Sequence, residues 1–263
     1  MTHLKMLWTL SIITAQRMLR RKSTIVLTIV GLLPSIQVFL WVVGLHINMT
    51  PYGLFLQFLS SYYASLFVPL VAIFLGLGVI NDEVETRNIT YTLTRPIHPA
   101  VVAAGRFLGH YIVAAGVVIV CTIFVYLEGM IFQFGDLFAK IPVLIGACLF
   151  LSGGLLACMG VVSCLGTTWR RFAILGSVVW LIFDNVFALI PFDKVNALSI
   201  KYRMLASSFD SLPQAIFTLA PIEPGSLMMN MLVFLLIGAL AITYMAWYLI
   251  QFEIVLSGSD ASG

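Results

Sequence analysis

The chain has 263 residues, of which 61% are hydrophobic and 10% charged, with a formal net charge of +3 and a mean hydropathy of +1.06. A soluble domain carries about a quarter of its residues charged, so this composition excludes a water-soluble globular protein and leaves little polar sequence for a second domain. The four cysteines, Cys121, Cys148, Cys158 and Cys164, all lie in apolar runs, at spacings that fit neither a zinc site nor a redox pair.

Residues 3–22 come first. Leu4, Leu7, Trp8, Ile12, Ala15, Met18 and Leu19 recur at helical spacing on one side, with Lys5, Thr9, Gln16 and Arg20 opposite. This one-sided pattern predicts an amphipathic helix lying at the membrane interface. Residues 23–45 carry no charge and predict the first span. Pro51, Gly53, Gln57 and Ser60-Ser61 then mark a loop before a second span at 63–80. Pro34 and Pro69 each remove a backbone donor and are expected to bend spans one and two.

Residues 81–100 form a polar segment between two membrane-length apolar runs. Asp82, Glu83 and Glu85 crowd the start of a short predicted helix, where acids complement the positive end of the dipole. Glu83 and Arg87 stand at i,i+4 in the favourable order, and Arg95-Pro96 stops the helix. Such a segment suits docking of a soluble partner; on physics alone an ordinary solvated loop explains it equally well.

The third span is predicted at 107–127, broken by His110, and the fourth at 141–169, with Pro142 in its first turn. The fifth, 172–191, contains Asp184 about 3 Å past its midpoint. An acid inside a span marks a functional site by default; Asp184 with Asn185 could face a hydrated pathway, pair structurally with another helix, or lie beyond the helix end. Gln37 in span one is a weaker pathway candidate, since interhelical hydrogen bonding explains it. Residues 192–226 are too apolar for a free loop and too short to span, which predicts a re-entrant or surface-lying outer segment. A sixth span follows at 227–252. The small-residue pairs Gly105/Gly109 and Gly153/Ala157 are expected to let helices approach closely.

The fold class expected is therefore an all-α polytopic membrane protein, a single domain over 1–263 with six transmembrane helices. With the N-terminus inside, cytoplasmic segments hold ten Lys/Arg and outer segments four. This bias places both termini in the cytoplasm. No G-x-x-x-x-G-K-[ST] or H-E-x-x-H motif is present, and the four histidines are scattered. No ATP hydrolysis, catalytic residue or metal site is expected of the chain itself, and no nucleic-acid partner.

The sequence Gly-x-x-x-Ile-x-Asp-Glu at 76–83, then Glu85, then Thr-Tyr-x-Leu-x-Arg-Pro-Ile at 90–97 and Gly-Arg-Phe at 105–107, resembles ABC-2-type permeases, the membrane subunits of exporter-type ABC transporters. The resemblance implies two permease subunits, associated as a homodimer, working with two copies of a separate ABC ATPase that binds ATP and Mg. It implies that 81–96 supplies a coupling helix, with Asp82, Glu83, Glu85, Arg87 and Arg95 shaping the contact and Arg106 anchoring span three. The implied location is a bacterial inner membrane, in contact with its lipids. The rival expectation is a polytopic scaffold or a subunit that couples ATP-driven motion to an outside partner.

Overall fold

The computed structural model describes residues 3–44, 51–80, 98–131, 135, 137–190, 192–207 and 226–259. Every regular element among them is helical. In a bilayer the backbone must satisfy its own hydrogen bonds, and a helix does so within one segment. Among the described residues five helical stretches are long and apolar enough to cross a membrane: Lys22–Leu40, Tyr52–Ile80, Pro99–Ile131, Ile141–Thr168 and Leu227–Gln251.

Helix α1 (His3–Leu19) leads into α2 (Lys22–Gly31) and α3 (Leu33–Gly44), which together form the first stretch. The second is continuous where the sequence predicts a loop. Pro51 opens α4 (Pro51–Phe58), a π-helical segment follows (Leu59–Phe67), and α5 (Val68–Gly76) completes it. Proline is tolerated at a helix start. The serine pair stays helical because Ser60 and Ser61 both donate their hydroxyls back to the Gln57 carbonyl. Pro69, which lacks a donor, stands where the π segment returns to α geometry.

Helix α6 (Pro99–Ile131) is the central pillar, and α1, α4, α5 and α7 (Ile141–Thr168) all pack on it. At its far end the Tyr126 hydroxyl donates to the Leu137 carbonyl at 2.7 Å, and the Lys140 ammonium lies 3.6 Å above the Tyr52 ring. Glycines set the close approaches. A Cβ on Gly105 would stand 2.9 Å from Leu10, and one on Gly109 would stand 2.7 Å from the Ser11 carbonyl of α1. Gly153 likewise admits Met231 and Phe234 of α11 (Leu227–Ser259).

Helix α1 therefore meets α6 where the glycines of α6 admit it, Leu10 at Gly105 and Ser11 at Gly109. Ser11 and Met18 are buried, whereas Leu4, Trp8, Ile12 and Leu19 point away from the protein. Leu4, Trp8, Ile12 and Leu19 belong to the apolar face that the sequence pattern sets toward the membrane, while Met18 of the same face is buried within the protein. The small residues of α6 set the close approach, and the large side chains of α1 outside that contact are left exposed.

After α7 the chain turns at Trp169 into α8 (Ala173–Phe187), where the fifth span is expected. This helix is apolar but has only 15 residues, about 22 Å, against a hydrocarbon core of about 30 Å. Two short helices follow, α9 (Asp193–Asn196) and α10 (Ile200–Ser207). Helix α10 packs on α7 and α11, with Met204 set into the notch left by Gly154, close to the midpoint of α7.

Candidate functional site

Two places hold the residues singled out by the sequence. The first is the frame on either side of the polar segment. Residues 81–97, and with them Asp82, Glu83, Glu85, Arg87 and Arg95, lie outside the described residues. The helices that enter and leave the segment are described. Helix α6 starts cleanly: Pro99 needs no donor in the first turn, and His98 Nδ1 accepts from the Ala100 N–H at 3.2 Å. Three turns on, His110 is buried, and its Nδ1 lies 2.6 Å from the Leu75 carbonyl of α5. A carbonyl can only accept, so this ring nitrogen carries the proton. Arg106 is part-buried one turn before His110 on α6. Helix α7 closes the frame, because Gly166 lets the Leu77 backbone approach to within 3.1 Å of where a Cβ would stand. The end of α5 is thus clasped from two sides.

The second place is a polar cluster around Asp184, which is 5% exposed on α8. Its Oδ1 accepts from the Ile200 N–H at 2.7 Å and its Oδ2 from the Lys201 N–H at 3.1 Å. These are first-turn amides of α10, which have no partner inside the helix. The carboxylate also sits at the positive end of that helix's dipole. Ser199 completes the cap: its hydroxyl donates to the Asp184 carbonyl at 3.0 Å and accepts from the Tyr202 N–H at 3.1 Å.

Asn185 extends the same clamp, its Oδ1 accepting from the Lys201 ammonium at 2.8 Å. Burial pushes the Lys201 ammonium below its ordinary range, while the Asp184 carboxylate draws it back up. Arg203 donates to the Ala197 carbonyl and to Asn230 Oδ1 of α11 at 3.2 Å. The cluster ties α8, α10 and α11 together. Among the described residues no group of His, Cys, Asp and Glu could hold a metal ion. Gln37 is not drawn into this cluster; it is exposed on α3, which packs chiefly on α6 and α4.

The family model for ABC-2 family transporter proteins matches residues 2–257. This chain belongs to the ABC-2 transporter family. A search of curated proteins finds no match to it. As an ABC-2 permease it is a multi-pass integral membrane protein and a component of membrane transport, and this family generally works with an ATPase subunit.

In this ABC-2 permease the sequence pattern singled out Asp184 and Asn185 but not the residues they hold. Ser199 had a readable signal, since a serine directly before a helical run is a cap signature. Lys201 and Met204 had none, because the depth to which α10 packs against α7 depends on the Gly154 notch.

Proposed function

We propose that this chain is the pathway-forming permease subunit of an ATP-driven transporter, working as a dimer with two copies of a separate ABC ATPase. The observation that carries the reading is the family match over residues 2–257, which runs through the polar segment and both helices that frame it. In this reading 81–96 is the coupling element, and Asp82, Glu83, Glu85, Arg87 and Arg95 make or shape the contact. Arg106 anchors α6 beside it. The hydrogen bond between His110 and Leu75 supports this, because it joins the two helices that would carry ATP-driven motion from the segment into the membrane.

We take α8, with the turns that flank it, as the sixth crossing, so that both termini face the cytoplasm of a bacterial inner membrane. The excess of Lys/Arg on the inner side supports that orientation. Helix α1 lies at the inner interface with Leu4, Trp8 and Leu19 toward lipid. The segment 192–226 is re-entrant, an assignment supported by Met204 packing near the midpoint of α7. Asp184 and Asn185 serve the pathway by holding α10 in place, and Gln37 reaches it only across the dimer.

Co-purification with the ABC ATPase encoded beside the chain tests the reading. Wild type is expected to form a stable complex, and the double variant Glu83→Ala, Arg95→Ala is expected to lose assembly or ATP turnover while still folding. If wild type binds no ATPase, the permease reading fails and a scaffold role replaces it.

A further inference from the structure

The first membrane-spanning stretch is broken between α2 and α3, and the break is held from outside. Pro34 has no N–H to give the Val30 carbonyl, and the Ser35 N–H turns to the Leu32 carbonyl at 3.0 Å in place of the Gly31 carbonyl one residue earlier. The Val30 and Gly31 carbonyls thereby each lose their i+4 donor inside an apolar layer, the Val30 carbonyl keeping only a backbone N–H of the helix cap, and an unmatched carbonyl there is costly. Two consecutive tyrosines of the neighbouring stretch meet them. The Tyr62 hydroxyl donates to the Val30 carbonyl at 2.6 Å, and the Tyr63 hydroxyl donates to the Gly31 carbonyl at 2.8 Å.

Both tyrosines belong to the π-helical segment Leu59–Phe67. A π turn inside an α-helix is a rare local register that is frequent at functional sites. Its return to α geometry would rotate the two rings relative to one another and to the helix beyond. Ser65 follows the π spacing, its hydroxyl donating to the Ser60 carbonyl at 2.9 Å. The knot also reaches α6: the Tyr63 oxygen lies 3.2 Å from the Cys121 carbonyl, and Cys121 Sγ lies 3.7 Å from the Thr28 carbonyl. A tyrosine has one hydroxyl proton, so Tyr63 serves Gly31 or Cys121 at a given moment, and exchange between them needs only rotation about one bond.

The broken stretch is held more loosely than the stretch that carries the two tyrosines. Among the residues of the most apolar part of Lys22–Leu40 28% are buried, against 67% for Tyr52–Ile80. On α3 Leu33, Ile36, Phe39 and Leu40 all face outward. On α2 Ile25, Val26 and Ile29 face outward as well, and its ties run through Thr24, which donates to the Met18 carbonyl at 2.7 Å, and Gly31, which lies against Phe67 and Cys121.

We propose that the Gly31–Pro34 break is a hinge that lets α3 swing against α2, and that the hydroxyls of Tyr62 and Tyr63 are the latch that holds it shut. The latch is carried by the π segment, so a change of register there releases both bonds together. This device stands on the hydrogen-bond geometry and does not depend on the identity of the cargo or on the docking of an ATPase.

Cys121 lies under the latch, fully buried, and reports on it. In a chain carrying Cys148→Ala, Cys158→Ala and Cys164→Ala, the rate of Cys121 alkylation by N-ethylmaleimide measures how often the hinge opens; labelling after denaturation gives the endpoint. Tyr63→Phe removes only a hydroxyl and is expected to raise that rate on the order of tenfold, as loss of one buried hydrogen bond does for a local opening. Tyr62→Phe is expected to raise it as well. Pro34→Ala restores a donor for the Val30 carbonyl, so on that background Tyr62→Phe is expected to change nothing. Size-exclusion profile and thermal midpoint are followed for each variant to separate hinge opening from global unfolding. Unchanged Cys121 rates in both tyrosine variants would overturn the proposal. So would a Tyr62→Phe effect that persists undiminished with Pro34→Ala, or rates that rise only in step with loss of the folded protein.

Discussion

His110 and Leu75 are joined across two helices by a bond of 2.6 Å, a short way into the buried core from the polar segment. Helix α5 leads into that segment and α6 leads out of it, so this bond fixes their spacing. His110→Leu keeps bulk and removes the donor. It is expected to lower stability by about 1–2 kcal/mol, the worth of one buried hydrogen bond, seen as a lower thermal midpoint in detergent. If the frame transmits ATP-driven motion, ATP turnover of the assembled complex is expected to become less dependent on the permease in the same variant. A lower midpoint with coupled turnover unchanged would assign His110 to packing alone.

Asp184 makes a separate prediction. Asp184→Asn keeps one acceptor oxygen but sets an amide against the second N–H, and is expected to cost about 1–2 kcal/mol. Asp184→Leu strands both first-turn amides of α10 and leaves the Lys201 ammonium without its carboxylate neighbour, and is expected to cost about 3 kcal/mol or more. Thermal midpoints of the two variants check the order. Limited proteolysis provides a second reading, because α10 is expected to become the first site of cleavage. If both variants melt like wild type and only transport falls, Asp184 acts on the cargo and the cap is incidental.

Much of this was legible in the sequence, and the reasons are particular. The spans at Ile141–Thr168 and Leu227–Gln251 match runs bounded by Lys140, Trp169 and Ser226, because charge and length decide such segments on their own. Residues 51–62 are helical where the sequence reads as a loop, since Pro51, Gly53 and two serines are breakers in water. Within the protein Ser60 and Ser61 bond back to Gln57, and Leu54, Phe55 and Leu56 are buried. Around Asp184 the sequence supplied the acid but not its partners. Ile200 and Lys201 meet it through backbone amides 16 and 17 residues further on, and amides leave no mark in a side-chain pattern. On α1 the exposed Leu4, Trp8, Ile12 and Leu19 fall on the apolar face read from the sequence, but Met18 of that face is buried, because hydrophobicity alone does not separate a side chain facing outward from one facing a neighbouring helix.

The contact of Gly154 with Met204 sets how deeply α10 sits, and a reciprocal pair of substitutions tests it. A Cβ at residue 154 would overlap the Met204 side chain. Gly154→Ala is therefore expected to destabilise by about 1–3 kcal/mol through overpacking. Met204→Ala leaves a cavity beside a glycine and is expected to cost about 2–4 kcal/mol. Because the two residues share one space, the double variant is expected to lose less than the sum of the single losses, by about 1 kcal/mol. Denaturation of the four proteins in the same detergent gives that difference directly. Strict additivity would mean that Met204 is held by the Asp184 cap alone, and that Gly154 serves only the packing of α7 on its other neighbours.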